Sequence, residues 1–218
     1  MPKKIAIVLS GCGVKDGSEI HESVLTLLAV VKNGGAPLFF APGGNQTTVT
    51  NHLSNDATGE KRNILVESAR IARGQIKDLK ELKGSSADAL IFPGGYGAAL
   101  NLCDFGQKGA DCTVHPEVGR VIEEFHSAGK PIGFICIAPA IGARVLGPKK
   151  VQLTIGADAF TAKALEKMGA VHQMRPVDDI CVDEKNRIVS TPAYMLAQNI
   201  AEAEAGISKL VQKIMQMA

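Results

Sequence analysis

The segment Lys130 to Ala140, KPIGFICIAPA, holds the residue of this chain best placed to do covalent chemistry. A short apolar run ends in Cys136, and Pro139 follows three residues later. Pro131 to Ile135 is brief, bounded by charge and proline, and reads as a buried parallel strand. Pro139 suits the first turn of a helix, where its missing N–H is not needed, and Ala140 to Leu146 continues helically. Cys136 is thus expected at a strand-to-helix turn, with free amides of the helix start beneath its sulfur. That geometry resembles a nucleophile elbow and should lower a thiol pKa that is otherwise about 8.5. The alternative is a small apolar filler, as most buried cysteines are. The local pattern leaves both open.

Ligands of open α/β sheets gather at the carboxyl ends of the strands, so the residues after each strand-like run are the remaining candidates. Ser10-Gly11-Cys12-Gly13 and then Gly17 to Glu22 follow Ile5–Leu9. Pro93-Gly94-Gly95-Tyr96-Gly97 follow Ala89–Phe92, and Thr191-Pro192-Ala193 end the last run. Glycine in such turns lets backbone approach a small ligand closely. Gly11-x-Gly13 with Gly17 is not the dinucleotide fingerprint, because its third glycine is one position late. An amide of Pro93-Gly94-Gly95 suits an oxyanion; a tight turn needing glycine explains the same residues. His21 and Glu22 fall early in the first helix, over the site, where either could reach the thiol. Glu19 and Glu22 share a face, although acids in a first turn are also what the helix dipole favours. His52, His115, His126 and His172 show no metal-ligand spacing and read as surface or capping residues.

These candidates need a scaffold, and the chain alternates in the way that supplies one. Strand-like runs are Ile5–Leu9, Pro37–Ala41, Ala89–Phe92, Pro131–Ile135, Val151–Ile155, Ile180–Asp183 and Ile188–Thr191. Helical patterns lie at Ser18–Asn33 with Ser18 as N-cap, Pro116–Ala128, Ala159–Met168 after Asp158, and Tyr194–Met217. Such alternation implies a mostly parallel sheet with helices on both faces. Asp183 to Asn186 reads as a hairpin turn. Residues 43–82 interrupt the pattern as an insertion, helical over Asn63–Arg73 with a face of Leu65, Ala69, Ala72 and Ile76.

Composition narrows the function. With 218 residues, 45% of them hydrophobic, one substantial core and a single domain are expected. A net charge of +2, mixed along the chain, and 4% aromatics argue against nucleic-acid binding. No apolar run approaches a membrane span. Five scattered cysteines without a C-x-x-C pair suit reduced thiols in a cytoplasmic compartment. Met1 to Cys12 looks like a lipoprotein cleavage box, but its apolar part is shorter than the roughly 7–15 residues a signal needs. It is expected to be the first strand.

Beyond these patterns, the whole chain resembles the PfpI-like superfamily of class I glutamine amidotransferase-like domains, and within it the ElbB-type glyoxalases, also described as enhancing-lycopene-biosynthesis proteins. The resemblance rests on Leu9–Val14 with Asp16–Glu22, Asn63 with Glu67–Ile71, Pro93-Gly94-Gly95 with Gly97–Ala99 and Asn101-Leu102, Phe134–Pro139, and Thr191–Met195. It implies a flavodoxin-like three-layer sandwich, a homodimer and a cofactor-free site. Cys136 matches the family nucleophile, Glu22 the acid beside it, and the amides of Gly95 and Ile137 the oxyanion donors. Cys12, His21 and Thr191 are further candidates for the substrate site. One departure stands out: the protease branch has histidine immediately after the cysteine, where this chain has Ile137. Deglycase relatives keep a histidine after the next strand, whereas Val151–Gly156 leads here into Ala157-Asp158. The function the resemblance implies is glutathione-independent conversion of glyoxal, or a similar small 2-oxoaldehyde, to a 2-hydroxy acid such as glycolate. Alternatives are a cysteine-based oxidation sensor or chaperone, and a regulatory partner of isoprenoid metabolism.

Overall fold

A computed structural model describes residues 1–218. Its strands are β1 (Lys4–Val8), β2 (Ala36–Ala41), β3 (Ile76–Asp78), β4 (Ala89–Phe92), β5 (Ile132–Ile135), β6 (Gln152–Leu153), β7 (Val171–His172), β8 (Cys181–Asp183) and β9 (Ile188–Thr191). Its helices are α1 (Ile20–Lys32), α2 (Ile64–Ile71), α3 (Tyr96–Leu100), α4 (Phe105–Lys108), α5 (Pro116–Ser127), α6 (Pro139–Leu146), α7 (Ala159–Lys167) and α8 (Ile200–Met217). Seven strands form one sheet in the order β3-β2-β1-β4-β5-β9-β8, parallel except for β8. This is the mostly parallel, helix-covered sheet expected from the alternation, in the flavodoxin-like form that the resemblance implied.

The strands are apolar on both sides because both sides are covered. Ala6, Val8, Leu90, Phe92, Ile132 and Phe134 join a 32-residue cluster with α5 and α6, where Phe92 stacks on Phe134. Their neighbours Ile5, Ile7, Ala89, Ile91 and Ile135 join a 20-residue cluster with α1 and α8. The two-residue side-chain period of a strand sorts alternate residues into the two layers.

Chain order reverses between β1 and β4, the switch point at which a crevice opens beyond the strand ends. The two glycine turns meet there: Gly97 N–H donates to Gly17 O (2.9 Å), Glu19 N–H to Gly94 O (3.0 Å) and Tyr96 N–H to Val14 O (2.7 Å). Glycine is obligatory in this contact. A Cβ on Gly95, whose φ is 94°, would lie 2.3 Å from Glu19 N, and one on Gly97 would lie 2.6 Å from Gly17 Cα.

Several sequence boundaries move, each for a local reason. The N-cap of α1 is Glu19, whose carboxylate accepts the Glu22 N–H at 2.7 Å. Ser18, the expected cap, instead accepts the Ser10 N–H at 2.8 Å, in a buried serine pair. The last helix begins at Ile200 rather than Tyr194, because Ala193 holds φ at 43° and Asn199 caps the true first turn. Val151–Ile155 contributes only Gln152–Leu153, paired with β7 in a separate two-stranded sheet. In residues 43–82, α2 and β3 complete an ordinary crossover back to β2. Ile76 therefore lies in a strand and not on the helix face with Leu65. Asn63, Asp158 and Pro139 take their expected places at helix starts.

Candidate active site

β5 runs straight into Cys136, which takes φ 62° before α6 begins. A non-glycine residue in this region costs about 1–3 kcal/mol and persists only where its surroundings hold it. Here the Cys136 N–H is tied to Thr191 O of β9 at 3.0 Å. Ala138 N–H closes the turn on Ile135 O at 3.0 Å. The strained turn lifts the sulfur out of the sheet to the crevice, where Cys136 is 8% exposed. The amides of Gly95 and Ile137 find no backbone acceptor and are directed at the sulfur, where they favour the thiolate.

Glu22 comes over this sulfur from the first turn of α1 and is wholly buried. Its carboxyl accepts Gly94 N–H at 2.9 Å and Tyr194 N–H at 3.2 Å, and engages the Cys136 thiol side chain to side chain. Burial, reinforced by the Glu19 charge, raises its pKa to about 8. The thiol does not follow the sequence expectation. Burial and the neighbouring Glu22 charge push it well above its usual value, outweighing the two amides that favour the thiolate. The elbow position predicts a low pKa only where the sulfur is wet, and this one is not.

Gly94 sets the distance between the two groups. A Cβ there would lie 2.5 Å from Cys136 Cβ and 2.7 Å from Glu22 Oε2. Gly94→Ala should therefore cost about 1–3 kcal/mol in urea denaturation and slow alkylation of Cys136. A variant as stable and as reactive as the parent would show that the pair tolerates separation.

The remaining sequence candidates divide. His21 stands at the rim with its Nδ1 2.8 Å from the Tyr194 hydroxyl. Thr191 supports the elbow from beneath; its hydroxyl donates to Asp179 O at 2.9 Å, so it offers nothing to a ligand. Cys12 is on the far side of its turn, facing Glu67, Arg70 and Asp16, and does not line the cavity over Cys136. All five histidines have other partners. His52 bonds Thr50 O and the Lys15 amide, His115 caps α5, His126 meets Asn186, and His172 approaches Ile155 N at 3.5 Å. None touches the sulfur. Tyr194 is a functional residue that residue-by-residue reading missed, and the Gly94 amide, read as part of an oxyanion turn, serves Glu22 instead; both act through backbone amides whose direction only the fold reveals.

No family model matches the chain. Full-length relatives do. A human protein, glutamine amidotransferase-like class 1 domain-containing protein 3, mitochondrial, is 45% identical over 98% of this chain and 83% of its own length. The chain belongs to the class I glutamine amidotransferase-like family. The zebrafish ES1 protein, mitochondrial, is another member, 36% identical over 98% of this chain and 85% of its own. Among solved members, an isoprenoid biosynthesis protein with amidotransferase-like domain from Ehrlichia chaffeensis superposes with a TM-score of 0.92 at 38% identity, over 99% of this chain and all of that one. A fission-yeast DJ-1 variant shares the fold, with a TM-score of 0.59 at 18% identity over 97% and 91%. The cytoplasmic location expected from reduced cysteines is overturned by these family members, since the human, rat and zebrafish proteins are all mitochondrial by name. Free thiols report a reducing compartment and do not tell one such compartment from another.

Proposed function

We propose that this family member is a glutathione-independent glyoxalase built on Cys136 and Glu22. The observation that carries the reading is a buried carboxyl with a pKa near 8, set against a cysteine that no imidazole touches. The Glu22 carboxylate takes the thiol proton as the sulfur adds to an aldehyde carbon of the 2-oxoaldehyde and passes that proton to the former carbonyl oxygen, giving a hemithioacetal. Glu22 takes the proton from that carbon and returns it to the adjacent one through an enediol, leaving a thioester. Water then hydrolyses the thioester to the 2-hydroxy acid and restores the thiol. Glyoxal plus one water becomes glycolate, with one carbon oxidised and its neighbour reduced, so no external electron acceptor enters. The amides of Gly95 and Ile137 stabilise the oxyanions formed at the reacting carbon.

The same arrangement disfavours two other chemistries. Amide hydrolysis needs a proton donor for the leaving nitrogen, and the histidines are held elsewhere. An oxidation sensor needs an accessible low-pKa thiol, whereas burial raises this one. Purified protein given labelled glyoxal should therefore release glycolate, read by carbon NMR, and should leave glutamine and peptides intact. Absence of glycolate, or clear glutamine hydrolysis, would overturn the reading.

A further inference from the structure

The cavity over Cys136 measures about 290 Å³. Ala99, Phe105, Ile137 and Met195 form its walls, and Tyr96 and Tyr194 its mouth. Glyoxal has four heavy atoms and would fill only a small part of that space. The chemistry of the walls is one-sided. Glu19 is the single charged residue among those lining the cavity, which include no lysine, arginine or histidine, and Glu22 is buried behind the sulfur. An anionic substrate would find two carboxyl groups and no cation to balance it. An apolar group would find a preformed slot whose walls lose water on contact.

From this we infer that the substrate is an uncharged 2-oxoaldehyde bearing an apolar aryl or branched alkyl group, R–CO–CHO, with the group R packed against Ala99, Phe105 and Met195. The aldehyde carbon then faces Cys136 and the ketone carbon lies within reach of the Glu22 proton. The inference rests on the glyoxalase reading for the reaction, and on the cavity alone for the choice of R. Larger R groups gain binding at a distance from the reacting carbon, which raises kcat/KM.

Two measurements test it, one with turnover and one without. In the first, phenylglyoxal should be converted to mandelate with kcat/KM at least tenfold above that for glyoxal. Ala99→Leu, which fills the slot, should abolish that preference. In the second, Cys136 is alkylated by N-benzyl iodoacetamide, iodoacetamide and iodoacetate, each rate divided by that of free cysteine. The benzyl reagent should be the fastest and iodoacetate the slowest, by at least tenfold between the extremes. Val14→Lys, an exposed change at the mouth, should raise the iodoacetate rate without affecting folding. Equal normalised rates for the three reagents would overturn the apolar assignment, as would glyoxal turnover without a phenylglyoxal preference. Retained reagent selectivity with no turnover of any oxoaldehyde would overturn the glyoxalase reading and leave the apolar site standing.

Discussion

Cys136→Ala is expected to abolish conversion of glyoxal to glycolate, while Cys103→Ala and Cys181→Ala retain it. The sulfur of Cys136 is the one thiol at the crevice where β1 and β4 diverge, with two free amides and a carboxyl directed at it. Cys103 Sγ donates to Ala98 O and Cys112 Sγ meets Met168 Sδ within the larger core cluster, and Cys181 is buried in β8, its pKa pushed up to about 11 by burial. None of these three lines the cavity. Replacing the nucleophile removes covalent addition altogether, so the loss should reach the uncatalysed background. The alanine variant should still fold, since it keeps the same backbone turn and leaves only a small void. Wild-type turnover by Cys136→Ala would remove the mechanism.

Glu22→Gln separates proton shuttling from packing. The amide fills the same volume and can still meet the Gly94 and Tyr194 amides through its oxygen, but it cannot carry a proton between carbons. Turnover should fall by roughly 10²–10⁴-fold while Cys136 remains open to alkylation. The pH dependence follows from the raised carboxyl pKa. Below about 8 the parent's carboxyl and thiol both hold protons; as pH rises through that value one proton leaves and the nucleophilic pair forms. Alkylation of the parent should climb across that range, and the climb should vanish in Glu22→Gln.

Stability moves in the opposite sense. The folded pKa lies above the ordinary 4.5, so the folded state holds a proton that the unfolded chain has lost. The contribution is complete below about 4.5 and disappears as pH rises through 8. Glu22→Gln should match its parent near pH 4 and exceed it by a few kcal/mol above pH 8. Parallel stability curves for the two proteins would mean that the carboxyl is ionised without penalty.

Much of this was legible in local pattern. Short runs such as Ala89–Phe92 and Ile188–Thr191 have the length and apolar character of strands buried on both faces, and their bounds agree with β4 and β9. Pro139 after Cys136 marked a helix start because proline lacks only an N–H that a first turn does not use. The elbow and the acid in the first turn of α1 could thus be placed from residue type and spacing. Helix capping was not legible in this way: residue type pointed to Ser18 as the N-cap, and the structure uses Glu19. The serine pair with Ser10, eight residues back toward β1, occupies Ser18 and leaves that task to Glu19.

The tertiary structure decided everything that depends on direction and dielectric. Cys12 and Cys136 both follow strands, yet one sulfur faces α2 and the other the crevice, because a turn's orientation depends on partners distant in sequence. The amides of Gly94 and Tyr194 converge on Glu22 from segments 72 and 172 residues away, which no spacing rule anticipates. A strand-to-helix turn by itself argues for a low thiol pKa, because amides stabilise negative charge. Burial takes the sulfur largely out of solvent and places Glu22 alongside, and the cost of an ionised sulfur there exceeds what two amides return. Sequence determined which groups meet; burial determined which of them holds the proton.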